Sequence, residues 1–169
     1  MQNARSRTTP EKTSPATPDG GTIKGSPRVN LPPSPPSNIP DGAGRRVLVV
    51  DDEPAIRRFI KAALEDSGYQ VVGTGTGAEA VTLFREAATA GRPFHAVLLD
   101  LTIAGGMGGR ETLAELRAID PAVRAIASSG YASGDIMDQP RAHGFVGTLA
   151  KPYSMDELER AVADACRAP

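Results

Sequence analysis

The chain has 169 residues, a formal net charge of −1 and a single cysteine, which bounds it to one ordinary domain with some residues left over. One Cys excludes an internal disulfide framework and suits a reducing cytosol. No apolar run is long enough to cross a bilayer, the N-terminus lacks the apolar core of a signal peptide, and a charge near zero argues against general nucleic-acid affinity.

The surplus lies first in chain order. Residues 1–44 are dominated by Pro, Ser, Thr, Gly and Asn, with the run Leu31-Pro-Pro-Ser-Pro-Pro36 and no apolar periodicity. Such a stretch buries too little apolar surface to offset the entropy of ordering it, so a disordered tail is expected there. From Arg45 the composition turns aliphatic, and residues 45–169 are read as the folded domain.

Strand-like and helix-like segments then alternate. Arg46 to Val50 reads as a strand, and Pro54 is well placed at the first position of a helix reaching Asp66, with Ile56, Phe59, Ile60, Ala63 and Leu64 at helical spacing. A strand over 70–74 and a helix over 78–88 follow. His95 to Leu99 reads as the third strand, 109–119 as the third helix, and Val123 to Ser128 as the fourth strand. A weaker helix spans 134–142, a fifth strand runs from Phe145 to Ala150, and Ser154 with Glu157 forms a capping box for the last helix. Five strand-then-helix repeats imply an α/β fold, a doubly wound parallel sheet with helices on both faces, most simply in the flavodoxin-like order 2-1-3-4-5.

In that order, ligands bind where the chain reverses across the sheet, beyond the carboxyl ends of the first and third strands. Asp51 and Asp52 end the first strand, Asp100 the third, and Lys151 the fifth. Crowded carboxylates repel unless a cation neutralises them. Hard oxygen ligands with room for water suit Mg2+, which would orient a phosphoryl group toward a carboxylate nucleophile, with Lys151 and Ser129 in reach of its oxygens.

These residues carry a resemblance. Val47-Leu-Val-Val-Asp-Asp-Glu53, Leu98-Leu-Asp100, Ser129-Gly130 and Lys151-Pro152, in this order and at these separations, resemble the receiver domains of two-component response regulators over nearly all of residues 45–168. The resemblance implies that Asp100 is the phosphoacceptor. It implies a Mg2+ site of Asp51, Asp52, Asp100 and the Thr102 carbonyl, with Asp52 a direct ligand and Asp51 acting through water. Ser129 becomes the switch hydroxyl, Lys151 the phosphoryl-sensing lysine, and the Lys151-Pro152 bond is expected to be cis. The implied donor is a phosphohistidine on a sensor histidine kinase or phosphotransfer protein. The implied output surface is the face of the fourth helix, fifth strand and fifth helix, where a downstream protein or a second copy would dock.

Two positions depart from that pattern. Many receivers carry Pro four residues after the phosphoacceptor and an aromatic three residues before the lysine; here these are Ala104 and Thr148. The loop over 101–109 and Ser128-Ser-Gly-Tyr131 resemble the C-terminal receivers of hybrid sensor kinases. Thr102 and Tyr131 flank the expected path of an attacking water, and neither side chain is a carboxylate or amide that would orient it.

The bland readings stand beside the sharp ones. Gly73-Thr-Gly-Thr-Gly77 lacks the spacing and terminal Lys-Ser or Lys-Thr of a P-loop and reads as the turn after the second strand. His95 and His143 have no spaced metal partners, and Cys166 reads as a half-buried apolar residue. The leading expectation is a cytoplasmic receiver without an attached output domain, with no direct nucleic-acid or membrane contact, acting as a switch, a phosphoryl shuttle or a sink. The competing classes are a flavodoxin-like small-ligand binder, disfavoured because the acidic pair would repel an anionic cofactor, and a phosphate-ester hydrolase. Such hydrolases place a second Asp where Thr102 stands.

Overall fold

The computed structural model describes residues 42–103, 106–131 and 134–167. The expected tail over 1–41 and the departure at Ala104 lie outside the described residues. Five parallel strands form one sheet in the order β2-β1-β3-β4-β5, with β1 at Arg46–Val50, β2 at Gln70–Thr74, β3 at Ala96–Asp100, β4 at Ala125–Ser129 and β5 at Gly147–Ala150. Between them run α1 (Pro54–Asp66), α2 (Gly77–Thr89), α3 (Gly109–Ile119) and α4 (Asp135–Asp138), and α5 (Met155–Arg167) closes the chain.

Strand alternation sorts the apolar side chains into two cores. Val47, Val49, Leu98 and Ile126 face one side, where Ile60 and Leu64 of α1 and Leu158 and Val162 of α5 cover them. Leu48, Val50, Val97 and Leu99 face the other, against Phe84 of α2 and Leu113 and Leu116 of α3. Asp51, Asp100 and Lys151 continue the parity of Val49, Leu98 and Leu149, so all three project on the α1/α5 side of the sheet's carboxyl edge. Ser129 continues the parity of Ala127 and belongs to the other side.

Pro54 starts α1 and Ser154 caps α5, with Glu157 accepting from Ser154 N at 2.7 Å and Ser154 Oγ accepting from Glu157 N at 3.3 Å. The glycine cluster resolves into ordinary structure: Gly73 lies in β2, and Thr76 caps α2 through Glu79 N. The strand limits differ from expectation by one or two residues, because β3 extends to Asp100 and β4 to Ser129, while β5 begins only at Gly147.

The largest difference is the fourth helix. Instead of a helix over 134–142, α4 makes a single turn and a 3-10 turn follows over Pro140–His143. Pro140 has no N–H to donate and its ring would crowd the carbonyl of Ile136, so the α-helix cannot continue. Gly144 then ends the segment with φ of 86°, a left-handed conformation that favours glycine.

Gly109, at the start of α3, has no room for a side chain. A Cβ there would sit 2.7 Å from the Asp100 carbonyl oxygen and 2.9 Å from Leu101 Cα, both main-chain atoms unable to swing aside. Gly109→Ala is expected to cost about 1 to 3 kcal/mol, the usual penalty for overpacking, measured as a lowered midpoint in urea unfolding; unchanged stability would show that the loop after β3 gives way freely.

Candidate functional site

The carboxyl edge of the sheet brings together the residues that the chain order separates. Asp51 follows β1, Asp100 ends β3, and each is buried, at 2% and 3% exposure. One oxygen from each of Asp51, Asp52 and Asp100 lies within 4.8 Å of the others, the one such acidic group among the described residues. Lys151, directly after β5, spans the gap: its Nζ donates to Asp51 Oδ2 at 2.7 Å and to Asp100 Oδ2 at 2.6 Å. The peptide bond after it, to Pro152, is cis.

Every remaining oxygen of the two buried acids is engaged. Asp51 Oδ1 accepts from Glu53 N at 2.9 Å, and Asp100 Oδ1 accepts from both the amide and the hydroxyl of Thr102, each at 2.8 Å. Burial alone would push the Asp100 pKa up, but the hydrogen bonds from Lys151 and Thr102 together outweigh it and hold the carboxyl below its ordinary range. For Lys151, burial pulls the other way from Asp100 and Asp51, and the carboxylates win, so the ammonium holds its proton above the usual lysine range.

Ser129 ends β4, is 4% exposed, and lies on the other side of the sheet from Lys151. Its Oγ accepts from Tyr131 N at 3.1 Å, and its carbonyl accepts from Lys151 N at 2.7 Å, which ties the ends of β4 and β5 together. The Tyr131 ring is exposed. Of the predicted residues, Asp51, Asp52, Asp100, Thr102 and Lys151 form one constellation, and Ser129 joins it through the main chain rather than by its side chain.

Three contributors were not legible in the sequence. Arg57, on the first turns of α1, donates from Nη1 to the Asp51 carbonyl at 2.6 Å. Its signal was an arginine six residues after Asp51, a spacing too common to single it out. Ser128 stands opposite Asp100 in the β3/β4 register. Its Oγ and the Tyr153 hydroxyl are both buried and lie close to one another, in the neighbourhood of Asp51, Asp100 and Lys151. Burial pushes the Tyr153 phenol up. The histidines are elsewhere: His95 Nδ1 accepts from Arg46 N at 3.1 Å, and His143 Nε2 lies 2.9 Å from Asp135 Oδ2. Cys166 is buried rather than half-buried as expected.

The donor set suits a hard divalent cation: oxygen ligands only, crowded enough to repel one another, with an ammonium standing in for part of the missing positive charge. Chemically, the arrangement offers a deprotonated nucleophile, Asp100, beside an acidic cation site and a lysine able to pair with an incoming anion.

Comparison with known proteins places this geometry. The family described as "Response regulator receiver domain" matches residues 47–163. Sporulation initiation phosphotransferase F of Bacillus subtilis is 32% identical over 117 residues, covering 69% of this chain and 90% of that protein. The alginate biosynthesis transcriptional regulatory protein AlgB of Pseudomonas aeruginosa is 34% identical over 118 residues, but the match spans 25% of its length. Among solved structures, the receiver domain of a sensor histidine kinase from Pseudomonas aeruginosa, with a magnesium ion coordinated in its active-site cleft, matches with a TM-score of 0.64 at 26% identity, covering 75% of this chain and 100% of that one. No helix of the described residues is long and apolar enough to cross a membrane.

The ion trio has a calculable pH signature. The depressed Asp100 pKa adds stability above the ordinary carboxylate range, near 3.9, which is lost as acid protonates the group below about pH 4. The raised Lys151 pKa adds stability that is fully present through neutrality and is lost only as the pH climbs past about 10.4. Lys151→Met is expected to cost about 2 to 4 kcal/mol at neutral pH without divalent cations, near the lower part of the range for breaking a buried pair because Lys151 still reaches water. The difference from wild type should shrink as the pH falls from about 4, the ordinary carboxylate range, through the depressed Asp100 pKa of the wild type, below which Asp100 is protonated in both proteins. Urea unfolding across pH checks this, and a pH-independent difference would show that Lys151 acts by packing alone.

Proposed function

We propose, because this chain belongs to the response regulator receiver domain family, that it is a phosphorylation switch of two-component signalling whose phosphoacceptor is Asp100. The observation that carries the assignment is the bridge of Lys151 Nζ to both Asp51 and Asp100, which joins the ends of β1, β3 and β5 at one point. Receiver domains of this family bind Mg2+ and work with histidine kinases or phosphotransfer proteins. The finer roles below are our reading for this chain, with residues 45–169 as the receiver and 1–44 as a tail.

Asp51, Asp52, Asp100 and the Thr102 carbonyl would hold Mg2+, the first three supplying the acidic oxygens that cluster here. Bound there, the ion neutralises charge on an incoming phosphoryl group. In the transfer, an Asp100 carboxylate oxygen forms the new O–P bond. The N–P bond to the donor histidine breaks, and its electron pair stays on the imidazole nitrogen. Asp100 needs no general base, because Lys151 and Thr102 already keep it deprotonated. Lys151 then exchanges a carboxylate partner for a phosphoryl oxygen.

Ser129 supplies the response. Its side chain stays with Tyr131 N on the other side of the sheet, but its carbonyl holds Lys151 N, so movement of Lys151 toward the phosphoryl group draws on the β4 and β5 ends together, while the hydroxyl on the phosphoryl side is that of Ser128, opposite Asp100. This biases a two-state equilibrium of the α4, β5 and α5 face toward its phosphorylated form. A cytoplasmic setting fits, since Cys166 stays a thiol there. The flavodoxin-like alternative gains no support, since an anionic cofactor would meet Asp51, Asp52 and Asp100.

Incubation with acetyl phosphate and Mg2+ should add one phosphoryl group to the intact mass of the wild type and none to Asp100→Ala. Labelling that needs no Mg2+, or that survives loss of Asp100, would refute the assignment. With Thr102 and Tyr131 beside the path of attacking water, self-dephosphorylation is expected to be slow, so the phosphorylated protein should persist for minutes or longer after the donor is removed. A half-life of seconds or less in the presence of Mg2+ would overturn that expectation.

A further inference from the structure

Beside the edge strand β5 lies a groove of about 850 Å³, running between the segment over 141–144, the strand itself and α5. Its origin is local. Pro140 cuts α4 to one turn, so no long helix flanks this edge, and Thr148 stands where many receivers carry an aromatic ring. Gly147, Ala150 and Ala161 add little bulk, and the space stays open.

The groove has two independent recognition features. Among the described residues β5 pairs only with β4. Lys151 N donates inward to Ser129 O, and Ala127 and Ser129 stand opposite Thr148 and Ala150 in the β4/β5 register. By the alternation of a parallel ladder, the main-chain groups of Thr148 and Ala150 therefore turn to the free side, where an extended chain could add a strand. The second feature is charge. Arg117, Arg141 and Arg160 line the groove, and none of them lies within salt-bridge distance of a carboxylate among the described residues. The lining acids are already engaged: Glu157 accepts from Ser154 N and Oγ at 2.7 and 2.8 Å, and Asp164 pairs with Arg167 at 2.9 Å. The groove therefore offers the Arg117 and Arg141 guanidinium groups outside any salt bridge among the described residues, and Arg160 only loosely held by the charge of Glu157, whose carboxylate is already spent on the Ser154 cap.

We infer that this groove takes an extended acidic segment of a partner protein, which adds a sixth strand to the sheet beside β5 and places its carboxylates on Arg117, Arg141 and Arg160. The inference rests on the signalling reading above for its biological purpose and names the partner chemistry of the output face. Guanidinium forks match carboxylates bidentately, so acidic side chains give direction as well as attraction. The chain's own first 41 residues suit the groove poorly, since they carry five Lys and Arg (Arg5, Arg7, Lys12, Lys24, Arg28) against three Asp and Glu (Glu11, Asp19, Asp41).

The test uses the full chain and a fluorescein-labelled octapeptide of alternating Glu and Val, followed by anisotropy at low salt. Saturable binding is expected. Replacing Glu by Gln in the peptide, or combining Arg117→Gln, Arg141→Gln and Arg160→Gln in the protein, should each weaken it by about tenfold or more, the scale expected for losing several charge-assisted contacts. Methylating alternate peptide nitrogens should abolish binding while leaving the protein untouched, a result that separates strand addition from simple charge attraction. An unchanged melting temperature in the triple variant guards against loss of fold.

Absence of saturable binding, or binding indifferent to N-methylation or to the three substitutions, overturns the inference. So does sedimentation showing copies of this chain joined through the same arginines and not displaced by the peptide, which would assign the groove to a second copy. Acetyl phosphate labelling of the same samples keeps the two readings apart. Labelling without peptide binding sinks only the groove, whereas peptide binding without labelling supports the groove and sinks only the phosphorylation site.

Discussion

Asp51 and Asp100 lie almost out of reach of water, at 2% and 3% exposure, and left to themselves both could not remain ionised so close together. Lys151 resolves the conflict by donating to both. The rest of the molecule is arranged around that requirement. β1 and β3 are adjacent so that the carboxylates meet, the β4 end carries the carbonyl that anchors Lys151 N, and the turn through Lys151-Pro152 returns the chain to α5. A buried ion group of this kind is poor value as a source of stability, since desolvation consumes much of the attraction. Its value is that a cation and a phosphoryl group can replace its members one for one.

That exchange explains why Thr102 and Ser129 do different work although both are hydroxyl residues beside the same aspartate strand. Thr102 spends its amide and its hydroxyl on Asp100 Oδ1, so it fixes the nucleophile in place and in charge. Ser129 spends its hydroxyl on Tyr131 N, a local turn contact on the other side of the sheet, and keeps its structural tie to Lys151 in the main chain. The first arrangement is rigid because both oxygens of Asp100 are taken; the second follows Lys151 through the backbone alone. A switch needs one of each.

Much of this was legible in the sequence, and for a physical reason. Parallel strands buried on both faces must be short apolar runs, and a charge that ends such a run must lie at the sheet's edge, so Val47 to Val50 before Asp51, and Ala96 to Leu99 before Asp100, reveal fold and site together. What sequence patterning could not supply was anything set by side-chain direction across elements. Arg57 reaching the Asp51 carbonyl, Ser128 opposite Asp100, and the buried Tyr153 hydroxyl depend on register and rotamer, which no local spacing encodes. The fourth helix is shorter than the sequence spacing predicts because Pro140 lacks the N–H that would continue it.

The same proline bears on one departure from the family's pattern, Thr148 in place of an aromatic. An aromatic three residues before the lysine can report phosphorylation only if there is packing on the β5 edge for its ring to enter or leave. Here the neighbouring helix is a single turn with no buried residue, and Thr148 is too small to wedge or release anything. A one-turn α4 and a small residue at 148 leave the same edge of the sheet open. The result is an open strand edge rimmed by arginines, in which movement of the β4 and β5 ends alters main-chain hydrogen-bonding positions directly rather than through a rotating ring. A receiver built this way would signal through the backbone of β5, the element that Lys151 already ties to the phosphorylation site.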